Sequence, residues 1–285
     1  MSVKGTLIPI GGNEDKGTDV HEQYTLEFIA DGILARVVQE SGGVTAKIVV
    51  IPTASSIPDE VSKNYLQAFG KLGCTNVLIL DIRKREQSED KENIEIVRQA
   101  DCIMFSGGNQ SEILRKIGGT SIHTILKERY QNDSIVIAGT SAGAMCMSEE
   151  MITGGSSKEA FIKGAVGMSA GMAFIPNLII DSHFIRRGRF GRLAEAVAIF
   201  PDLLGVGLAE DTGLVIKNCN TFEVIGSGMV ILFDPSRLKH NNQKVLEKGE
   251  PITLQNLKTH ILANGDRFNI KKRKLKVLPL DAPFV

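Results

Sequence analysis

Several short runs of aliphatic and β-branched residues, at 6–10, 47–51, 77–80, 102–105 and 135–138, are almost free of polar side chains. Strands of that composition are buried on both faces, which an edge or a half-exposed sheet does not allow. The runs alternate with helix-length amphipathic stretches at 22–40, 62–72, 89–99 and 122–130. In the first of these, Phe28, Ile29, Leu34, Val37 and Val38 recur at helical spacing before Ser41-Gly42-Gly43 ends the pattern. Alternating strands and helices imply a mostly parallel central sheet joined by right-handed crossovers and covered by helices on both sides, a three-layer α/β/α fold. In such sheets the chemistry gathers at the carboxyl ends of the strands. Those ends are Gly11-Gly12-Asn13-Glu14, Pro52-Thr53-Ala54-Ser55, Gly107-Gly108-Asn109-Gln110 and the turn that holds Ser141.

Beyond residue 150 the texture changes. Residues 154–171 are rich in Gly, Ser and Met and read as a loop. Short strands are expected at 178–180, 204–208, 213–217, 221–225 and 229–233, with a helix at 193–200. The last 35 residues, with apolar runs at 252–254, 260–262 and 275–278, read as a β-rich extension. No linker composition interrupts the chain, so residues 1–285 are expected to form a single domain.

Composition excludes more than it selects. Thirty-three Lys and Arg balance thirty-three Asp and Glu, which favours neither a nucleic-acid nor a membrane partner. The basic run Lys271-Lys272-Arg273-Lys274 is expected on an exposed strand edge. No apolar run approaches the length of a membrane span, and the first residues lack a signal-peptide core. Cys74, Cys102, Cys146 and Cys219 have no CxxC spacing and are expected to be free thiols in a cytoplasmic protein. The five histidines have no metal-ligand spacing, so no metal or other cofactor is expected.

Gly139-Thr140-Ser141-Ala142-Gly143 follows a buried strand and precedes a small-residue helix, the setting of a nucleophile elbow. The glycines would allow a strained turn that lifts the serine Oγ above the sheet; the same residues also suit a plain packing turn. A serine nucleophile needs a positioned base, itself oriented by an acid. His21 and His123 fall in amphipathic helices, and His240 and His260 in the polar end of the chain. His183 instead follows the strand at 178–180, with four arginines close behind. Glu210 and Asp211 end the strand at 204–208 and are candidates for the acid. Ala142 and Gly108 could supply the oxyanion N–H groups. The order Ser141, His183, then acid departs from the α/β-hydrolase order and suits a class I glutamine-amidotransferase-like (flavodoxin-like) fold.

Together these segments resemble the cyanophycinase family of serine exopeptidases, and more distantly peptidase E. The resemblance rests on Gly11-Gly12-Asn13-Glu14, Gly107-Gly108-Asn109-Gln110, Gly139-Thr140-Ser141-Ala142-Gly143-Ala144 and Glu210-Asp211-Thr212. It also rests on Asp181-Ser182-His183-Phe184 with Arg187, Arg189, Gly191 and Arg192. It implies Ser141 as nucleophile, His183 as base and Glu210 as the orienting acid, in a usually dimeric enzyme that releases β-Asp-Arg dipeptides from multi-L-arginyl-poly-L-aspartate. Gln110, Asp181, Ser182, Arg187, Arg189 and Arg192 fall at its substrate-binding positions. Guanidinium groups bind carboxylates bidentately, and each repeat of that polymer carries a free one; the alternative for the arginines is a solvated helix face. The family usually has Gln where this chain has Ser182, which bears on specificity. A peptidase E-like dipeptidase acting on other Asp or isoaspartyl peptides is the rival enzyme reading, and a non-catalytic amidotransferase-fold binding protein the rival of another class.

Overall fold

In the computed structural model, which describes residues 2–18, 25–155, 159–279 and 282, the early apolar runs become parallel neighbours. They are β1 (Thr6–Ile10), β2 (Ile48–Ile51), β3 (Val77–Ile79), β4 (Cys102–Phe105) and β5 (Val136–Thr140). β1 pairs in parallel with β5, β5 with β4, β4 with β2 and β2 with β3. All of β2, β4 and β5 is buried, as their composition demands.

Helices cover both faces. α1 (Ile33–Glu40) and α2 (Pro58–Lys71) pack with Ile8, Ile10, Val50 and Met104 in one apolar cluster. α3 (Lys91–Arg98), α4 (Gln110–Ile117) and α5 (Ser121–Asn132) pack with Leu7, Val49, Ile103 and Ile137 on the opposite face. Successive strand residues point to opposite faces, so neighbours such as Val49 and Val50 feed different cores.

The short α6 (Ala142–Met145) opens directly after β5. Then come β6 (Glu150–Gly154), β7 (Gly167–Ala170), β8 (Leu178–Asp181), α7 (Phe190–Ile199) and β9 (Leu204–Leu208). β10 (Thr212–Lys217), β11 (Thr221–Gly226) and β12 (Val230–Asp234) follow. The rest is β13 (His240–Asn241), β14 (Leu254–Gln255), β15 (Lys258–Leu262), β16 (Arg267–Asn269) and β17 (Lys274–Lys276). β10, β11, β16 and β17 extend the first sheet antiparallel beyond β1, giving the order β17-β16-β11-β10-β1-β5-β4-β2-β3. Of the expected C-terminal extension, β16 and β17 thus belong to this one mixed sheet. A second sheet, β15-β12-β9-β8, carries α7 on its outer side.

Three expectations shift. The helix expected at 22–40 begins only at Ile33, after Gly32 in an extended N-cap; residues 25–32 form turns, and residues 22–24 and His21 lie outside the described residues. Its apolar period had counted Phe28 and Ile29, but Phe28 packs on Gly17 and Ile29 is exposed. Residues 154–171 hold β7, which pairs with β6 in a bulged hairpin. The helix α4 passed unread because its eight residues give too short a period.

The four cysteines are free. Among the described residues, no helix is long and apolar enough to cross a membrane. Phe184, wholly buried, packs tilted against Phe190 and edge-on against Phe233 and fills the space over Gly207, where a Cβ would come within 2.4 Å of its ring. Phe184→Ala should lower the unfolding free energy by about 3–5 kcal/mol, measured by urea denaturation.

Candidate active site

The carboxyl ends of β1, β5, β8 and β9 meet at one point. Ser141 leaves β5 with φ 53° and ψ −108°, a left-handed backbone that a serine adopts only when its surroundings hold it. Its N–H donates to Ile10 O at 2.9 Å. The flanking glycines are required sterically: a Cβ on Gly139 would lie 2.5 Å from Gly143 O, and one on Gly143 would lie 2.5 Å from Phe105 O.

His183 follows β8 and is also left-handed, with φ 47°. Its N–H donates to Gly11 O at 2.7 Å, so β1 grips it as it grips Ser141. Its Nε2 lies 3.0 Å from Ser141 Oγ and its Nδ1 lies 2.8 Å from Glu210 Oε1. A carboxylate at Nδ1 keeps the proton there, which leaves Nε2 bare to accept from the serine hydroxyl. The side chains form one line: acid, imidazole, hydroxyl.

Burial pushes the His183 pKa below its ordinary value, helped by Arg187 and Arg189 and opposed by Glu210. Burial resists ionisation of Glu210 as well, but hydrogen bonds from His183, Arg186 and Asn13 hold its carboxyl below the usual range. Arg186 Nη1 donates to Glu210 Oε2 at 2.9 Å. Arg186 and Asn13 are the partners that sequence reasoning missed. Arg186 had a signal, since it belongs to the same run as the arginines that were chosen; Asn13 had only its position at a strand end.

Beside Ser141 opens a cavity of ≈ 360 Å³ lined by Gly108, Gln110, Ser182, Arg187, Arg189 and Arg192, among others. Gly108 has φ 139°, and a Cβ there would lie 2.0 Å from Ala54 O, so no other residue fits. Ala142 opens α6, where the first N–H groups find no partner within the helix. Gln110 lies on the rim, its amide donating to Ile152 O at 2.8 Å.

The arginines divide into two kinds. Asp181 is fully buried and accepts from Arg192 Nε at 2.7 Å, from Arg192 Nη2 and from Arg189 Nη1 at 3.1 Å. Asp181 therefore touches the guanidinium groups behind the cavity wall. Arg189 also donates to Ser182 O at 2.6 Å; burial lowers its pKa to about 10, which leaves it charged at neutral pH. Arg187 is exposed on the cavity edge and makes none of the ion pairs found among the described residues. Ser182 is buried, with Oγ donating to Met145 Sδ at 3.2 Å.

The remaining described histidines serve elsewhere. His123 Nδ1 accepts from Gly119 N–H and its Nε2 faces Met172 O, while His240 and His260 lie on β13 and β15. Among the described residues, no group of three His, Cys, Asp or Glu could hold a metal ion.

The chain as a whole is similar to known proteins. The model of the family described as peptidase family S51 matches residues 17–224. A cyanophycinase of Trichormus variabilis is 37% identical over 279 residues, covering 98% of this chain and 89% of that protein. One of Geminocystis herdmanii is 35% identical over 269 residues, covering 94% and 95%. A solved peptidase from an acI-B1 Actinobacterium aligns over 91% of this chain and 97% of its own, with a TM-score of 0.60 at 21% identity, a likeness of fold. The chain belongs to peptidase family S51.

The arginine field has a measurable consequence. By NMR titration the His183 midpoint should lie below the ordinary ~6.5 of histidine. Arg187→Gln removes a positive charge that opposes protonation, so the midpoint should rise; an unchanged midpoint would contradict the assigned cause.

Proposed function

We propose that this member of peptidase family S51 is a serine exopeptidase that hydrolyses cyanophycin to β-Asp-Arg dipeptides. The observation that carries the reading is the unbroken relay Ser141 Oγ–His183 Nε2–His183 Nδ1–Glu210 at 3.0 and 2.8 Å, opening on an arginine-lined cavity. The cyanophycinases to which the chain is similar over nearly its whole length support the substrate.

The chemistry follows from the geometry. Ser141 Oγ attacks the scissile carbonyl carbon as its proton passes to His183 Nε2. Ionised Glu210 stabilises the imidazolium through the Nδ1 hydrogen bond. The Ala142 and Gly108 N–H groups take the developing oxyanion. His183 then protonates the leaving amine, which departs and leaves an acyl-enzyme on Ser141. Water, deprotonated by the same Nε2, attacks that ester and restores the serine. Arg187, which makes no ion pair among the described residues, is suited to the free carboxylate of the substrate's arginine. Arg189 and Arg192, held by Asp181, add fixed positive charge beside it.

A second reading, cleavage of other Asp or isoaspartyl peptides, draws on Ser182. Its hydroxyl is taken by Met145, and it offers no amide to a substrate side chain.

Ser141→Ala should lower kcat on the order of 10⁶-fold while leaving the circular-dichroism melt unchanged. Full turnover by that variant would rule out the assignment. Incubation of the wild type with insoluble cyanophycin should release dipeptides of β-Asp-Arg mass. Cleavage of other Asp-X isopeptides with the polymer left intact would favour the second reading. Arg187→Ala should raise KM about 10- to 100-fold, the loss of one charge-assisted contact, and move kcat little.

A further inference from the structure

The end of β1 and the loop after it touch every member of the relay. Ile10 O and Gly11 O hold the backbone N–H groups of Ser141 and His183, Gly12 O accepts from Asp211 N–H at 2.9 Å, and the Asn13 side chain bonds Glu210. Gly12, at φ 114°, lies so close to the imidazole that a Cβ would meet His183 Cε1 at 2.3 Å. Glu14 makes none of these contacts, yet it is the most deeply buried charged residue of the loop. Its carboxylate is 2% exposed and accepts from Thr140 Oγ1 at 2.5 Å, Tyr65 Oη at 2.6 Å and Lys16 Nζ at 3.0 Å. Thr140 is the residue immediately before the strained serine.

Each contact has a direction. Tyr65 is buried beside a carboxylate, and its pKa is raised well above the ordinary value, so it remains a donor. Burial resists ionisation of Glu14, but Lys16 and the two hydroxyl donors outweigh it and hold its pKa low. Lys16 also sits 5.2 Å above the Tyr65 ring, which keeps the ammonium at the mouth of this small polar chamber. For fold stability alone, apolar residues of similar volume would serve as well or better than a buried charge. The network instead ties a hydroxyl on β5, one residue before Ser141, to the loop that carries Gly12 and Asn13.

We propose that Glu14 is a positioning residue: through Thr140 Oγ1 it locks the Ser141 elbow to the loop that holds His183 and Glu210, and so sets the alignment of Oγ with Nε2. The proposal rests on Ser141 being the nucleophile, but not on any particular substrate. A displacement of about 1 Å in a reacting atom can slow chemistry on the order of 100-fold. The lock therefore governs kcat and leaves substrate affinity alone, because no part of it lines the cavity.

The test compares Thr140→Val, Thr140→Ser and Glu14→Gln with the wild type. The readouts are the rate at which a fluorophosphonate labels Ser141, followed by intact mass, and kcat and KM on a β-Asp-Arg isopeptide. Rates are normalised to the folded fraction by circular dichroism. Thr140→Val, which keeps the shape and loses the hydroxyl, should slow labelling and kcat roughly 10- to 100-fold with KM within about two-fold. Thr140→Ser should recover most of that rate, and Glu14→Gln should fall with Thr140→Val. Wild-type labelling rates in both Thr140→Val and Glu14→Gln would overturn the role of Glu14 alone. So would equal losses in Thr140→Ser and Thr140→Val, or a loss that vanishes on normalisation. A wild type that the reagent does not label would overturn the nucleophile assignment, and this proposal with it.

Discussion

The backbone of Ser141 is held where an L-residue rarely rests, at a cost of about 1–3 kcal/mol, and much of the surrounding structure exists to hold it there. Gly139, Gly143 and Phe105 pack so closely that no side chain fits between them. The serine N–H is fixed to β1. The strain is shared, since Asn13, His183 and Asp211 also have positive φ values of 48°, 47° and 45°. Four left-handed residues from four separate segments meet at one place, and Ser141, His183 and Asp211 donate their N–H groups to the successive carbonyls of Ile10, Gly11 and Gly12. A single loop, the one after β1, links them.

The charge pattern follows from the same packing. The chain is neutral overall, yet behind the cavity one buried carboxylate, Asp181, faces two guanidinium groups. One negative charge leaves the pair with a net positive charge, and Arg187 adds another. That field has two effects. It favours an anion in the cavity, and it adds to burial, the larger cause, in holding the His183 pKa below its ordinary value. A base must be neutral to work, so the residues suited to binding an acidic peptide also keep His183 in its working state. A neutral net composition says nothing about a local field of this size.

Much of this was legible in the sequence, for identifiable reasons. The buried strands announce themselves because a segment such as Ile48–Ile51 has no polar face to hide, and its ends are marked by Pro or Gly. The elbow is legible because only glycine satisfies the contacts around it. Other features depend on tertiary contacts that no local pattern encodes. Over residues 25–32 the helix expected at 22–40 gives way to turns, where Phe28 packs on Gly17. The Asp181 carboxylate looked like a cavity residue because its neighbours in sequence are; the pleat of β8 turns it to the other side, against Arg192. Arg186 could not be separated from its neighbours by composition, since which arginine of a run reaches Glu210 depends on the turn after His183.

The choice between Glu210 and Asp211 illustrates the limit most sharply, because two adjacent acids at a strand end are equivalent on paper. The positive φ of Asp211 breaks the equivalence by turning the two side chains to different sides of the chain. Glu210, with the longer arm, reaches His183 Nδ1. Asp211 is buried and accepts from Asp15 N–H at 3.0 Å and from the Ser227 hydroxyl, which anchors the loop after β1 to the turn following β11. Burial raises the Asp211 pKa even so, as expected of a carboxyl valued for its hydrogen bonds more than its charge. That loop supplies Gly12 against the imidazole and Asn13 to Glu210. The second acid thus acts on the first through a path that closes on itself: Asp211 fixes the loop, the loop fixes Asn13, and Asn13 fixes Glu210. On this reading the pair is one device, in which Glu210 orients the base and the more deeply buried Asp211 holds Glu210 in place.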